Sequence, residues 1–386
     1  MNWKKLFKDS VSNIEEQFDD ITFKLRRRLK LNDPVQIVPY RSYGTTNRLY
    51  LKGRVLEDKL LKSASDKDTI FTNLLNMYKR FESDEVPGAL LKVSFQDQTH
   101  QVITDEEGYF LLNLAPSQVL HLDDIWHNIE IELEHAPIPF ETNIKTSAEV
   151  LIPPFDAEYG IISDIDDTIV ETSATNALRM ARTVFLNNAR TRLPFAGVSE
   201  FYKSLQLGRN GKRNNPFFYV SSSPWNLYDL LKDYLDLNEI PAGPLLLRDF
   251  GLEENKFISS GHMGHKFKEI ENILLTYPHL NFVLIGDSGQ EDPTIYQEVA
   301  KQYPGRVLAI YIRDVQLAHR EKIALEIAEK TRTEDLEMLI IDNAAQAAEH
   351  AAKIGLIYTE ALPAIETEKE LDKGTLPGKE EASLLE

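Results

Sequence analysis

Cysteine is absent from the 386-residue chain. That excludes a disulfide scaffold, a thiolate metal site and a cysteine nucleophile, and it fits a reducing compartment. No uncharged run reaches the roughly 18 residues a membrane-spanning helix needs. The early lysines Lys4, Lys5 and Lys8 are followed by no apolar core or small-residue cleavage site, so no signal peptide is expected. Positive charge is also scarce: 43 Lys and Arg stand against 61 Asp and Glu, a formal net charge of −18. A polyanion would be repelled, which argues against nucleic acid as a partner. With 42% hydrophobic and 27% charged residues, the chain has the composition of a globular protein, long enough for two domains. The default expectation is a soluble cytoplasmic protein, with peripheral membrane contact the alternative to weigh.

Four segments follow from the pattern. Residues 1–34 read as an amphipathic helix: Trp3, Leu6, Val11, Ile14, Phe18, Ile21 and Leu25 recur at helical steps, and a basic run, Lys24 to Lys30, precedes Pro34. Glu15, Glu16, Asp19 and Asp20 weaken a membrane-surface reading and favour packing on the protein's own body. Residues 35–153 alternate short β-rich runs with turns, among them 90–95, 109–112 and 129–133, and predict a small antiparallel β-sandwich with a helical or loop insertion over 57–85. Thr104-Asp105-Glu106-Glu107-Gly108-Tyr109-Phe110 is a turn leading into a strand; it resembles the hairpin signature of transthyretin-like and carboxypeptidase-regulatory-like sandwiches. Residues 154–357 alternate strands near 159–163, 216–221, 244–247, 281–286 and 306–312 with helices around 174–190, 197–207, 224–237, 266–276 and 292–303, and one more helix over 334–354. That predicts an α/β domain on a parallel sheet with its site at the carboxyl ends of the strands. Residues 358–386 are rich in acidic residues, with Pro363 and Pro377, and predict a disordered acidic tail.

The chemistry sits where apolar strands end. Ile161-Ile162-Ser163 runs into Asp164-Ile165-Asp166-Asp167-Thr168. Alone, D-x-D-x-T is also what an acidic turn looks like. A second strand, Phe217 to Val220, ends in Ser221-Ser222-Ser223-Pro224, where hydroxyls and free N–H groups at a helix start make a phosphate cradle. A third, Phe282 to Ile285, ends in Gly286-Asp287-Ser288-Gly289-Gln290-Glu291-Asp292, and His265-Lys266 opens the helix before it. Acid pair, serine, lysine, acid pair arrive in that order.

With these motifs the sequence resembles the haloacid dehalogenase-like phosphohydrolase superfamily, and within it the actin-patch-protein type of phosphatidate phosphatase, relatives of the lipins, over about 159–315. The lipin-type pattern carries Gly where Asp167 stands, so lipin specificity does not transfer. The resemblance implies a Rossmann-like domain in which Asp164 is the nucleophile, Asp166 the general acid/base and Lys266 the third-motif lysine. Thr168 supports the loop, Ser221 and Ser222 hold phosphate, and Asp164, Asp166, Asp287 and Asp292 form the metal set. The metal is Mg²⁺, a hard ion that accepts oxygen ligands and offsets repulsion between carboxylates and a phosphate monoester. The implied reaction converts phosphatidate to diacylglycerol and phosphate through an aspartyl-phosphate.

Only 57 residues separate Asp164 from Ser221 and 45 separate Ser221 from Lys266. No cap domain fits either interval, which predicts an open site suited to a bulky substrate such as a lipid headgroup at a bilayer or a phosphoprotein. The first interval is locally basic, with Arg179, Arg182, Arg190, Arg192, Lys203, Arg209, Lys212 and Arg213, and Gly208 to Arg213 reads as a mobile basic loop near the site. Arg248 is a further substrate contact to test. His262 and His265 lie in a Gly-rich stretch and read as loop residues rather than ligands. The alternatives are another lipid phosphate, a phosphoprotein, or a catalytically silent lipid-binding module; intact Asp164, Asp166, Lys266 and Asp287 argue against silence.

Overall fold

A computed structural model describes residues 34–57, 85–120, 122, 124–165, 168, 197–248, 261–315 and 317–374. The helix expected over residues 1–34, most of the 57–85 insertion, the helix expected near 174–190, Asp166, and residues 375–386 lie outside the described residues.

The N-terminal half forms a mixed sheet. Its strands are β1 (Val35–Pro39), β2 (Ser42–Thr45), β3 (Arg48–Glu57), β4 (Leu90–Phe95), β5 (Gln98–Ile103), β6 (Tyr109–Leu114), β7 (Trp126–His135) and β8 (Lys145–Leu151). They hydrogen-bond in the order β1-β3-β2-β8-β7-β4-β5, with β6 joined to β3. Alternation drives it: in β4, Leu91, Val93 and Phe95 turn inward while Leu90, Lys92 and Ser94 do not. Those residues pack with Leu49, Leu51, Val55, Ile129 and Ile131 in one core. The expectation of wholly antiparallel pairing fails at one place, where β2 runs parallel to β8. The turn before β6 is explained residue by residue. Asp105 Oδ1 accepts the N–H groups of Glu107 and Tyr109 at 3.0 and 2.9 Å. Gly108 sits at φ 75°, and a Cβ there would lie 2.7 Å from the Val55 carbonyl oxygen.

The second sheet is parallel throughout. Strands β9 (Gly160–Ser163), β10 (Phe217–Pro224), β11 (Leu245–Arg248), β12 (Phe282–Asp287), β13 (Val307–Arg313) and β14 (Met338–Ile341) lie in the order β11-β10-β9-β12-β13-β14. Every residue of β9 and β12 is buried, as strands covered on both faces require. Helices α1 (Val198–Leu207), α2 (Tyr228–Leu237), α6 (Ala344–Lys353) and α7 (Leu362–Gly374) pack on one face. Helices α3 (Gly261–Thr276), α4 (Asp292–Gln302) and α5 (Ala318–Thr331) pack on the other. From β9 the chain moves outward to β10 and β11, then returns to lay β12 on the other side of β9. Their carboxyl ends diverge there, the crevice in which ligands of such sheets bind.

Three further expectations need correction. The helix expected over 334–354 is a strand, β14, followed by α6, because Met338 to Ile341 pairs with β13. The acidic tail is not disordered from 358: Leu362–Gly374 is helical. The acidic composition masked a stripe in which Ile365 is fully buried among Val198, Ala344 and their neighbours, while Glu368 accepts the Glu200 N–H at 2.8 Å in the first turn of α1. The loop over 208–213 enters β10 from its amino end, opposite the strand ends that carry Asp164 and Asp287. Lys212 pairs there with Asp156, the Arg209 guanidinium lies 5.8 Å from the centre of the Tyr358 ring, and Glu158 accepts the backbone N–H groups of Arg209 and Asn210. Lys203 pairs with Glu200 and Glu239.

Substituting Ile365→Ala should cost about 2–5 kcal/mol, the usual range for emptying a fully buried aliphatic site. Urea unfolding measures it; a loss below about 0.5 kcal/mol would mean α7 does not seal this face.

Candidate active site

Asp164 follows the last residue of β9 and donates its N–H to the Ile285 carbonyl at 2.8 Å, which ties it to β12. Ser163 Oγ donates to the Asp164 carbonyl at 2.7 Å and meets Tyr202 Oη at 2.7 Å, so the strand end is held from both sides. Asp287 ends β12. Its Oδ1 accepts the N–H groups of Gly289 and Gln290 at 2.7 and 2.9 Å, a tight turn that reverses the chain into α4. Asp292 opens α4, and its Oδ2 accepts the Asp287 N–H at 3.2 Å. Gly286 makes this approach possible: a Cβ there would stand 2.5 Å from Asp292 Oδ2.

Lys266, on the first turns of α3, reaches into this corner. Its Nζ lies 2.8 Å from Asp164 Oδ1 and 2.7 Å from Asp292 Oδ1. The lysine side chain is 3% exposed and both carboxylates are 0% exposed, so water does not screen the pairs. Burial alone would lower the ammonium's pKa. Asp164, Asp292 and Asp287 outweigh it and hold Lys266 well above the ordinary lysine range. Carboxylate oxygens of Asp164, Asp287 and Asp292 lie within 4.8 Å of one another, all buried. One ammonium thus faces three acids built from hard oxygen donors, a set that suits a hard divalent cation.

Of the residues expected from sequence, Asp164, Lys266, Asp287 and Asp292 come together. Thr168 is buried beside them, with Oγ1 3.5 Å from Asp164 Oδ2. Ser221 is fully buried on β10, the strand next to β9, and its Oγ accepts the Ser223 N–H at 2.9 Å; Ser222 is half-buried between them. Arg248 ends β11, one strand further out, opposite Pro224. It lies beside His265, whose pKa is pushed down to about 4 by burial and by the charges of Arg248 and Lys266. His265 is therefore neutral at pH 7 and is not in the acidic cluster. Asp166 lies outside the described residues.

Gln290 was not singled out by sequence reasoning. Its Nε2 donates to Asp287 Oδ2 at 3.0 Å and approaches Asp164 Oδ2 at 3.4 Å, linking the ends of β9 and β12. The available signal was its place three residues after Asp287, where a turn of this kind returns a side chain over the acid.

Lys266→Met should strip the buried acids of their counter-charge and cost about 3–5 kcal/mol at neutral pH. The native lysine has a folded-state pKa above its unfolded value of about 10.4, so its contribution is fully present below that pH and is lost only as pH rises through the higher folded value. In the variant the deficit should shrink as pH falls and the acids take up protons. Unfolding curves over about pH 4 to pH 9 measure both; a deficit unchanged with pH would mean that uncompensated carboxylate charge is not its cause.

Among the described residues, no helix is long and apolar enough to cross a membrane. Residues 159–314 match the family described as phosphatidate phosphatase APP1, catalytic domain. The phosphatidate phosphatase APP1 of Saccharomyces cerevisiae is 37% identical over 183 residues, 46% of this chain and 30% of the yeast protein. An uncharacterized protein of Schizosaccharomyces pombe is 29% identical over 219 residues, 55% of this chain and 34% of the other. The chain spans about a third of the length of these curated relatives. A crystal structure of a carbohydrate acetylesterase from Xanthomonas citri covers 82% of this chain and 75% of its own at 11% identity, with a TM-score of 0.29, too distant to carry an argument. Residues 159–314, which hold the whole acid–lysine cluster, are thus the part of the chain that is similar to the phosphatidate phosphatase APP1 catalytic domain.

Proposed function

We propose that this chain is a phosphatase of the haloacid dehalogenase type with a Rossmann-like catalytic domain, acting on a lipid phosphate, with phosphatidate the first substrate to test. The observation that carries the reading is the buried meeting of Asp164, Asp287, Asp292 and Lys266 at the carboxyl ends of adjacent parallel strands. The name of the yeast relative adds the substrate class.

Asp164 is the nucleophile in this reading. One carboxylate oxygen attacks phosphorus, the bond from phosphorus to the leaving alkoxide breaks, and an aspartyl-phosphate forms. Asp166 gives its proton to the alkoxide, here the one that becomes the diacylglycerol hydroxyl, and then takes a proton from the water that frees phosphate and restores Asp164. Lys266 holds Asp164 in place and balances charge as the phosphoryl group arrives. Asp292 orients Lys266 and the Asp287 backbone, consistent with its two bonded oxygens. Thr168 braces the loop; Ser221, Ser222 and nearby N–H groups hold phosphoryl oxygens, and Arg248 reaches the substrate from the neighbouring strand. Asp164, Asp287 and Asp292, together with Asp166, would hold Mg²⁺. When bound, the ion supplies neutralisation of the carboxylates and polarisation of a phosphoryl oxygen.

Phosphate release from phosphatidate in detergent micelles, with and without Mg²⁺ and beside a soluble aryl phosphate, tests this. Release that needs Mg²⁺ and favours the lipid is expected. Release from the aryl phosphate alone would discard the lipid, and none from either would discard catalysis. Asp164→Asn should lower turnover by at least about 10³-fold while the protein stays folded, the scale of losing a nucleophile; full activity would overturn the assignment.

A further inference from the structure

The phosphate-holding turn of the catalytic sheet is gripped by the N-terminal sheet. After Ser221–Ser223 the chain stays extended through Pro224, at φ −73° and ψ 154°, and then forms a short helical turn, Trp225–Leu227, leading into α2. Three of the four residues from Trp225 to Tyr228 meet β1–β3 or the loop between them. Tyr40 stacks on Trp225 with ring centroids 4.4 Å apart and planes 20° apart, and touches Tyr228 at 4.5 Å. Lys52 places its ammonium 4.1 Å over the Trp225 ring. Arg54 donates to Asn226 Oδ1 at 3.3 Å. The Arg41 N–H donates to Tyr228 Oη at 2.6 Å.

The gripping side chains are themselves fixed. Tyr40 N–H donates to the Lys52 carbonyl at 3.0 Å, which locks the two together. Arg54 is buried over the Tyr109 ring, 4.4 Å from its centre. Its Nε donates to the Glu107 carbonyl and its Nη2 to Glu85, at 2.8 Å each. Only its third nitrogen crosses to Asn226. A stacked aromatic, an ammonium over the same ring and a braced guanidinium are more than a surface contact needs. They converge two residues beyond Ser223, whose N–H already fixes the Ser221 hydroxyl. A shift of Trp225 is transmitted along an extended, proline-stiffened link to the oxygens and N–H groups that would hold phosphate.

We propose that Tyr40, Lys52 and Arg54 of the N-terminal sheet are positioning residues for the Ser221–Ser223 phosphate cradle, acting through Trp225 and Asn226. The sheet is then part of the catalytic apparatus, although it lies outside the segment matched by the catalytic-domain family. The inference rests on the phosphatase reading above.

The test uses the full chain and reads phosphate binding in two ways: inhibition of turnover by inorganic phosphate, and protection by inorganic phosphate against thermal unfolding in Mg²⁺. Tyr40→Ala should weaken phosphate on both measures and raise KM, each by about tenfold, the scale set by misplacing a binding group by a fraction of an ångström. Tyr40→Phe keeps the stack and should behave as wild type. Asn226→Ala is the milder variant if Tyr40→Ala does not fold, and should weaken phosphate in the same direction. The control is Tyr277→Phe, which removes a 3.0 Å bond to the Gly44 carbonyl elsewhere on the same interface. It should lower the melting temperature and leave phosphate binding unchanged. Folded Tyr40→Ala or Asn226→Ala with wild-type phosphate binding overturns the proposal, as does an equal weakening by Tyr277→Phe. A wild-type protein that neither binds nor releases phosphate overturns the phosphatase reading itself.

Discussion

A single lysine ammonium, sealed from water between Asp164 and Asp292, is the interaction on which this site is built. An unpaired charge at that depth would cost several kcal/mol, and each carboxylate would carry a comparable penalty without the lysine. The pairing offsets part of that cost and leaves an imbalance, since Asp287 joins the same cluster and one ammonium cannot neutralise three acids. Backbone N–H groups of Gly289 and Gln290 and the Gln290 amide soften the deficit with partial charges. The remainder is an electrostatic demand for positive charge, the kind that a divalent cation among hard oxygen donors would meet.

Such a cluster is tolerable only where the fold can hold it rigidly. Two fully buried parallel strands, β9 and β12, present Asp164 and Asp287 side by side, and the Asp164 N–H bond to Ile285 fixes their relative height. The helix that follows β12 supplies Asp292, and the helix before β12 supplies Lys266. All four groups therefore hang from one pair of strands. Gly286 is part of the same constraint, because a larger residue there would push Asp292 off both the lysine and the Asp287 backbone.

Much of this was legible in the sequence because charge placed directly after a run of buried apolar residues is conspicuous. Asp164, Asp287 and Ser221 announce themselves that way, and Lys266 follows from its place before the third such run. Gln290 gave no comparable sign, since its role depends on a turn geometry that brings an uncharged side chain back over Asp287. The loop with Arg209, Lys212 and Arg213 misled for a different reason: it is near Ser221 in sequence, but it precedes β10 and so lies at the strand's amino end. Helix α7 was hidden by composition. Its acidic residues look like a solvated tail until Ile365 is seen buried under them. The parallel pairing of β2 with β8 joins strands about 100 residues apart, and no local pattern encodes it.

The family-matched segment is also smaller than the unit that folds. Its boundary at residue 314 stops short of β14, α6 and α7, yet Ile341, Ala344, Ala348 and Ile365 fill the same core as Ile161, Phe217 and Tyr219. On the amino side, Tyr40 and Tyr109 enter that core from the N-terminal half, while Tyr43 and Leu151 enter the core on the opposite face of the catalytic sheet. The N-terminal half thus contributes to both faces, and Tyr40, Tyr43, Tyr50 and Lys52 line a cavity together with Leu245, Leu246 and Leu247 of β11, the strand at the end of the sheet order. An open edge strand is a liability for pairing with other chains, and covering it is one way to remove that liability. Here Tyr40 stands at the cavity beside that edge and also stacks on Trp225 in the turn after Ser223, so the surroundings of the edge and the geometry of the site share one side chain.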